Sequence, residues 1–208
     1  VEVELKTPVM VHNRVSWADV GELADEIGAS WVVDPHIQPD DQLDFGLCGI
    51  NLPHSERILT IMRDFERKGY PIVPLDALHQ LPSEAFTCGA GRSSGHISPD
   101  GTLTPCVNWR RPLGSLREQG LGELWNDNAE LEPVREVRRA SYLVDCEGCT
   151  FHGVCGYCPG FSEAETGDAG RRSAYVCERT HLSMAALEYY NRLKAQGVPV
   201  PHPSDQAA

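Results

Sequence analysis

The reactive groups of this chain are thiols. Four of its eight cysteines fall within one short stretch, Cys146-Glu-Gly-Cys149-Thr-Phe-His-Gly-Val-Cys155-Gly-Tyr-Cys158. Cys177 follows downstream, Cys88 and Cys106 stand upstream, and Cys48 lies apart. Glycines and small side chains separate the four thiols where an apolar repeat would be needed for a conventional core. Their sulfurs can instead converge on a metal centre, and soft thiolate ligands select zinc, copper(I) or iron-sulfur clusters.

Three plainer readings compete with that chemistry. A disulfide framework is unsupported, because cysteine makes up less than a twentieth of the chain, too dilute for the small disulfide-rich domains. The residues from Val1 also lack the basic and then apolar pattern of a secretory leader. Structural zinc usually joins two C-x2-C turns about 12 to 20 residues apart, whereas Cys149 and Cys155 are much closer. Zinc stays open as an alternative, since four-thiolate shells serve both metals. An unligated buried cysteine describes only Cys48.

At these residues the chain resembles the SPASM-type C-terminal extension of radical S-adenosylmethionine enzymes. That family reads C-x9-15-G-x4-C, then C-x2-C-x5-C-x3-C, then a last cysteine. The corresponding residues here are Cys88, Gly101 and Cys106, then Cys146, Cys149, Cys155 and Cys158, then Cys177. Gly101-Thr-Leu-Thr-Pro-Cys106 and the run from Leu113 to Trp125 are similar to the family's hairpin and its "LGN…IW" stretch. One departure is present: two residues, not three, separate Cys155 from Cys158.

The resemblance implies two auxiliary 4Fe-4S clusters. Cys146, Cys149, Cys155 and Cys177 would ligate one, while Cys88, Cys106 and Cys158 would hold the other with one iron left open. Ser94 stands where some members carry a further cysteine, and His96 is a local candidate for the open iron. His152, inside the knuckle, is placed to donate to cluster sulfur and raise its potential. A surface or hydrogen-bonding histidine describes either residue equally well. Metal binding is expected to be largely folding in such a domain, with few apolar groups to close its loops.

The remaining chain supplies the elements that position these thiols. Residues 5–11 alternate as a strand closed by Asn13; Ser16 is a candidate N-cap for a helix over Val20, Leu23, Ala24 and Ile27 that ends at Gly28. Trp31-Val-Val33 reads as a buried strand broken by Pro35 and Pro39, a second helix runs from about Ser55 to Gly69, and residues 70–74 are extended. Asp100-Gly101 marks a hairpin. Short helices are expected near residues 120–125 and 131–139. A long terminal helix over 173–196 would present Leu182, Ala186, Tyr189, Tyr190 and Leu193 on one face.

Alternating strands and helices in the first part point to βα units on a parallel sheet, and so few parallel strands cannot close a core alone. That part resembles the end of the radical-enzyme barrel. The implied fold is α/β: the last βα units of a partial (βα)6 barrel over residues 1–80, a cysteine-rich α+β SPASM domain over 81–197, and a disordered tail over 198–208. The missing N-terminal barrel half would carry the C-x3-C-x2-C loop of the catalytic cluster. Asn13, Asp34 and His36, at strand ends where barrel sites collect, would face S-adenosylmethionine, although an N-cap and loop roles explain them too.

A formal charge of -12 excludes a nucleic-acid footprint, and Arg135, Arg138, Arg139, Arg171 and Arg172 read as solvated helix faces. No apolar run is long enough to span a membrane, and reduced thiols suit the cytoplasm. The expected function is the C-terminal part of a radical enzyme acting on a ribosomally made peptide or protein, with an external reductant. The alternatives are a non-catalytic iron-sulfur electron-transfer or docking module and a zinc-stabilised interaction domain.

Overall fold

The computed structural model of the chain describes residues 2–38 and 45–201. The chain divides into two compact units, one formed by Val1–Leu78 with His181–Ala208 and the other by His79–Thr180. Helix and strand are mixed in both, consistent with an α/β chain.

In the first unit, strand β1 (Glu4–Pro8) pairs in parallel with β2 (Ser30–Asp34), Leu5 opposite Trp31 and Pro8 opposite Asp34. Helix α1 (Asp19–Ile27) makes the crossover and ends at Gly28, whose φ of 68° supplies the left-handed cap. Trp31 packs on α1 at Gly21, where any Cβ would overlap the indole ring. Its Nε1 donates to the Thr7 hydroxyl at 2.8 Å, which satisfies the one polar atom of a buried indole. Val9, Trp17, Ala24 and Leu52 complete this core. Among the described residues the sheet has only these two strands.

Helix α2 (His54–Arg67) packs Met62 against Ala186, Tyr190 and Val200. The latter half of the terminal helix α7 (Ala174–Ala195) therefore belongs to the first unit. Residues 70–74 are extended, as their composition suggests, but they form no strand. Asn191 takes the place of a strand partner: Val73 N–H donates to its Oδ1 at 3.1 Å, and its amide donates to Val73 O at 2.7 Å.

The second unit carries a three-stranded antiparallel sheet in the order β3 (His96–Ile97), β4 (Thr102–Thr104), β5 (Gly114–Ser115). The Asp100-Gly101 turn forms as expected, with Asp100 accepting the Thr102 N–H at 3.0 Å and Gly101 at φ 92°. These hydrogen bonds, Thr102 N–H foremost, hold the Asp100 carboxyl below its usual range. Helices α3 (Leu121–Asn126), α4 (Leu131–Arg135), α5 (Leu143–Cys146) and α6 (Pro159–Thr166) complete the unit.

Several local expectations are corrected. β1 ends at Pro8, and Val11–Asn13 is a 3-10 turn. Ser16 does not cap α1, whose N-cap is Ala18. Only Leu131–Arg135 of the 131–139 segment is α-helical. Tyr189 stands 48 % exposed beneath the Arg192 guanidinium instead of joining the buried face of α7. Within the expected disordered tail, Val200 is buried and donates its N–H to Glu66 at 3.0 Å, so residues 198–201 are held; residues 202–208 lie outside the described residues, as does Pro39.

The second unit also owns an apolar core that its cysteine-rich sequence concealed. Ala90, Leu103, Trp109, Leu113, Leu124, Leu131 and Val134 form one cluster, so its folding cannot rest on metal alone. Because the ring on β2 fills the space above Gly21, Gly21→Ala should destabilise the first unit by about 1 to 3 kcal/mol. Tryptophan fluorescence during urea unfolding would show an earlier transition, whereas an unchanged midpoint would contradict this packing.

Candidate metal centre

Cys88 opens a tight loop in which the N–H groups of Arg92, Ser93 and Ser94 all donate to Gly89 O. Gly91, at φ 68°, donates to Pro105 O, which ties this loop to the residue before Cys106. The glycines serve packing: a Cβ on Gly95 would lie 2.9 Å from the Trp125 ring, and one on Gly91 would lie 2.8 Å from Val134.

Cys158 joins these two from the N-cap of α6. Burial pushes its thiol up, the N–H groups of Phe161 and Gly160 pull it down, and Cys88 and Cys106 push it up again as neighbouring charges. Gly160 makes the approach feasible, since any Cβ there would collide with the Asn108 carbonyl and the Trp109 backbone. Cys88 and Cys106 thus both lie within electrostatic reach of Cys158. His96 sits on β3 opposite Thr104, and Ser94 holds the Cys88 loop through its carbonyl.

The other four thiols gather around the knuckle. Cys149 N–H donates to Cys146 O at 3.0 Å, His152 N–H to Cys149 O at 3.2 Å, and Cys155 N–H to Phe151 O at 2.9 Å. Burial pushes Cys146 up, a hydrogen bond from Tyr157 eases it, and Cys149 and Cys177 act as like-charge neighbours. Cys155 is likewise raised by burial, eased by the Thr180 hydroxyl at 3.3 Å, and faces Cys146 and Cys177.

Two carboxylates bring Cys177 to this group. Asp145 accepts both Arg171 Nε and Nη2 at 2.8 Å and the Arg172 N–H at 2.9 Å, which pins the turn before α7 beside Cys146. Glu165, on α6, accepts the Ser173 hydroxyl at 2.8 Å and the Ala174 N–H at 2.6 Å, capping α7. Helix α6 therefore starts at a thiol of one group and caps the helix bearing a thiol of the other.

Arginines form the part of the site that composition hid. Arg139 is 1 % exposed, not solvated; its Nη1 donates to Cys155 O at 3.0 Å and its Nη2 to His152 O. Arg135 donates to Gly91 O at 2.7 Å and Trp125 O at 2.6 Å, holding the Cys88 loop. Arg171 and Arg172 are exposed as expected, but for Arg135 and Arg139 the solvated-face reading fails because the guanidinium fork can satisfy several loop carbonyls at once. No periodicity signals that role.

Two stacked tyrosines complete the surroundings. Tyr142 is fully buried, donates to Ala169 O at 2.6 Å and stacks on Tyr157 at 4.1 Å between centroids. Burial, then Cys158, Cys88 and Cys155, push its phenol up, so Tyr142 borders both groups. His152 pairs with a phenol: its Nδ1 lies 2.6 Å from the Tyr157 hydroxyl, which neighbours Cys146, and its Nε2 is buried without a hydrogen-bond partner. Burial and then Arg139 hold the imidazole below its usual range.

The remaining sequence candidates lie in the first unit. Asn13, Asp34 and His36 share the C-terminal end of β1 and β2, but each has local work. Asn13 accepts the Met10 N–H at 2.8 Å and donates to Pro8 O at 3.0 Å. Asp34 accepts the His36 N–H at 3.0 Å, and buried His36 stands 3.5 Å from Arg57. Cys48 is half-buried near Ile37 O, with no other thiol of the chain close in sequence.

Among the described residues, no three Cys, His, Asp or Glu side chains close on one point as ligands of a single ion would. An iron-sulfur core distributes its thiolates over separate irons and makes no such demand. The all-sulfur donor set and the orphaned Nε of Arg139, sealed without a partner beside it, suit an anionic sulfur-ligated group. Residues 88–150 match the SPASM family, an iron-sulfur cluster-binding domain. The chain thus contains an iron-sulfur cluster-binding domain of this type, and the matched segment ends before Cys155, Cys158 and Cys177. No curated protein matches the chain. No helix among the described residues is long and apolar enough to cross a membrane.

Replacing Gly160 with alanine should push α6 off the Asn108 backbone and cost about 1 to 3 kcal/mol, whereas Gly156→Ala, with open space around its Cα, should stay within about 0.5 kcal/mol. Equal midpoints for the two variants in chemical denaturation would contradict this close approach.

Proposed function

We propose that the chain is the C-terminal part of a radical S-adenosylmethionine enzyme that modifies a ribosomally made peptide or protein. Its two thiol groups hold two auxiliary 4Fe-4S clusters. The observation that carries this reading is the sorting of seven cysteines from separated segments into neighbourhoods of four and three. Supporting it are the SPASM match and a two-stranded parallel sheet, an arrangement that usually continues into more strands.

In this reading Cys146, Cys149, Cys155 and Cys177 form a full ligand shell, and Cys88, Cys106 and Cys158 leave one position open. When bound, the clusters supply one-electron chemistry or an anchoring iron for substrate. The chain's own residues seal them: Tyr142 and Tyr157 exclude water between the groups, while Asp145 and Glu165 fix Cys177. The N-terminal barrel half, bearing the catalytic cluster, is the partner of β1 and β2, and Asn13, Asp34 and His36 at their C-terminal ends face S-adenosylmethionine. An external reductant supplies electrons, in the cytoplasm. A cleft of about 790 Å³ bordered by Trp109, Arg111, Glu163, Asp168 and Arg171 has the volume of a ligand site and offers both signs of charge to a peptide segment.

Protein purified without oxygen should be brown and contain about eight irons and eight sulfides per chain, the content of two 4Fe-4S clusters. Serine at Cys149 should remove about half of that iron, and serine at Cys106 the other part. Zinc in place of iron would establish the interaction-domain alternative, and anaerobically purified protein that carries neither metal would contradict both. Stripping the metal should accelerate amide exchange around residues 143–158 and 171–177 while the Leu103, Leu124 and Leu131 core stays protected. Uniform loss of protection would place the metal at the centre of the whole unit's folding.

A further inference from the structure

Arg139 is sealed from solvent, with 1 % of its surface exposed. It meets two carbonyls, Cys155 O at 3.0 Å and His152 O, and its Cζ lies 5.0 Å from the centroid of the Tyr157 ring. Its Nε has no partner. Among the described residues no carboxylate pairs with it, whereas half-buried Arg111 and exposed Arg171 of the same unit each have one. A guanidinium does not lose its proton in a protein, and a sealed cation with no counter-charge is strongly unfavourable. Cys155, whose carbonyl Arg139 holds, lies within reach of its charge, and the Tyr157 ring beneath the guanidinium in turn neighbours Cys146.

We propose that Arg139 is the built-in counter-cation of the iron-sulfur centre on Cys146, Cys149, Cys155 and Cys177, and that it holds the reduction potential of that centre up. The inference rests on the proposed cluster assignment. Reduction adds one electron from an external one-electron donor and leaves the centre one charge more negative. A permanent positive charge beside it stabilises the reduced form more than the oxidised one. Tyr157 and His152 border the same place: the Tyr157 hydroxyl pairs with His152 Nδ1 at 2.6 Å beside Cys146, under the guanidinium. Arg139 is thus a positioning and tuning residue, not one that touches a reacting bond.

The test is a redox titration of the full chain, followed by electron paramagnetic resonance, on wild type, Arg139→Met, Arg139→Lys and Arg138→Gln. At the potential where the wild-type centre is half reduced, the reduced-to-oxidised ratio of Arg139→Met should be about tenfold lower, a negative shift of about 59 mV for a one-electron couple. Arg139→Lys should recover most of that shift, and Arg138→Gln, which removes the same charge from the more exposed neighbour, should recover none because it loses none. A methionine variant that loads its cluster at the wild-type potential, or shifts no more than Arg138→Gln, would overturn the inference and leave the cluster assignment standing. Should the methionine variant fail to fold, the wild type still decides the matter. A sealed counter-cation is not screened, so its midpoint should be nearly independent of salt from low to high ionic strength, and a steep salt dependence would assign the counter-charge to solvent. Wild type without iron and sulfide would instead overturn the proposed function itself.

Discussion

Sulfur in this protein is gathered against its own electrostatics. Burial raises Cys146, Cys155 and Cys158, and neighbouring thiols raise them further. Ionising such a group without a bound cation is unfavourable, so the thiols are at ease only when protonated or when a metal centre neutralises them. Every local device around them works toward that state: two N–H groups at the start of α6 for Cys158, a phenol for Cys146 and a hydroxyl for Cys155. These donors offset part of the cost of burial, and all three thiols remain raised.

The scaffold meets this constraint unequally. The Cys88, Cys106 and Cys158 group leans on an apolar core, through Gly91 against Val134, Gly95 against Trp125 and Gly160 against Asn108. The knuckle rests on two smaller aromatic clusters, Tyr142 with Tyr157 and Cys146, and Phe161 with Tyr175 and Val176, both packed against Cys155. Ionic clamps do the remaining work there, with Asp145 on Arg171 and Glu165 on the start of α7. Helix α6 connects the two styles of construction. Its first residue follows Cys158 and its Glu165 reaches α7, so displacing it disturbs both thiol groups together.

Much of this was legible from residue types and spacing. Gly28 at the end of α1, the Asp100-Gly101 turn and the long terminal helix have local signals, and the seven cysteines themselves mark the site. What escaped notice has a common physical origin. Arg139 and Arg135 read as surface because charge pattern alone cannot distinguish a solvated guanidinium from one capping loop carbonyls. The apolar core of the second unit was missed because Leu103, Trp109, Leu124 and Val134 come from short elements without periodicity. Residues 70–74 read as a strand from their extended composition, yet a side-chain amide, Asn191, takes the partner's place. The hydrogen-bonding role open to His152 is the one it takes, with the Tyr157 hydroxyl as a partner that spacing does not reveal.

X-ray absorption at the iron and zinc edges of anaerobically purified protein tests the central claim most directly, because it reads the atoms around the metal without a variant. Iron surrounded by sulfur with a second shell of iron scatterers is the expected spectrum. A zinc edge with a lone four-sulfur shell and no metal neighbour would contradict it.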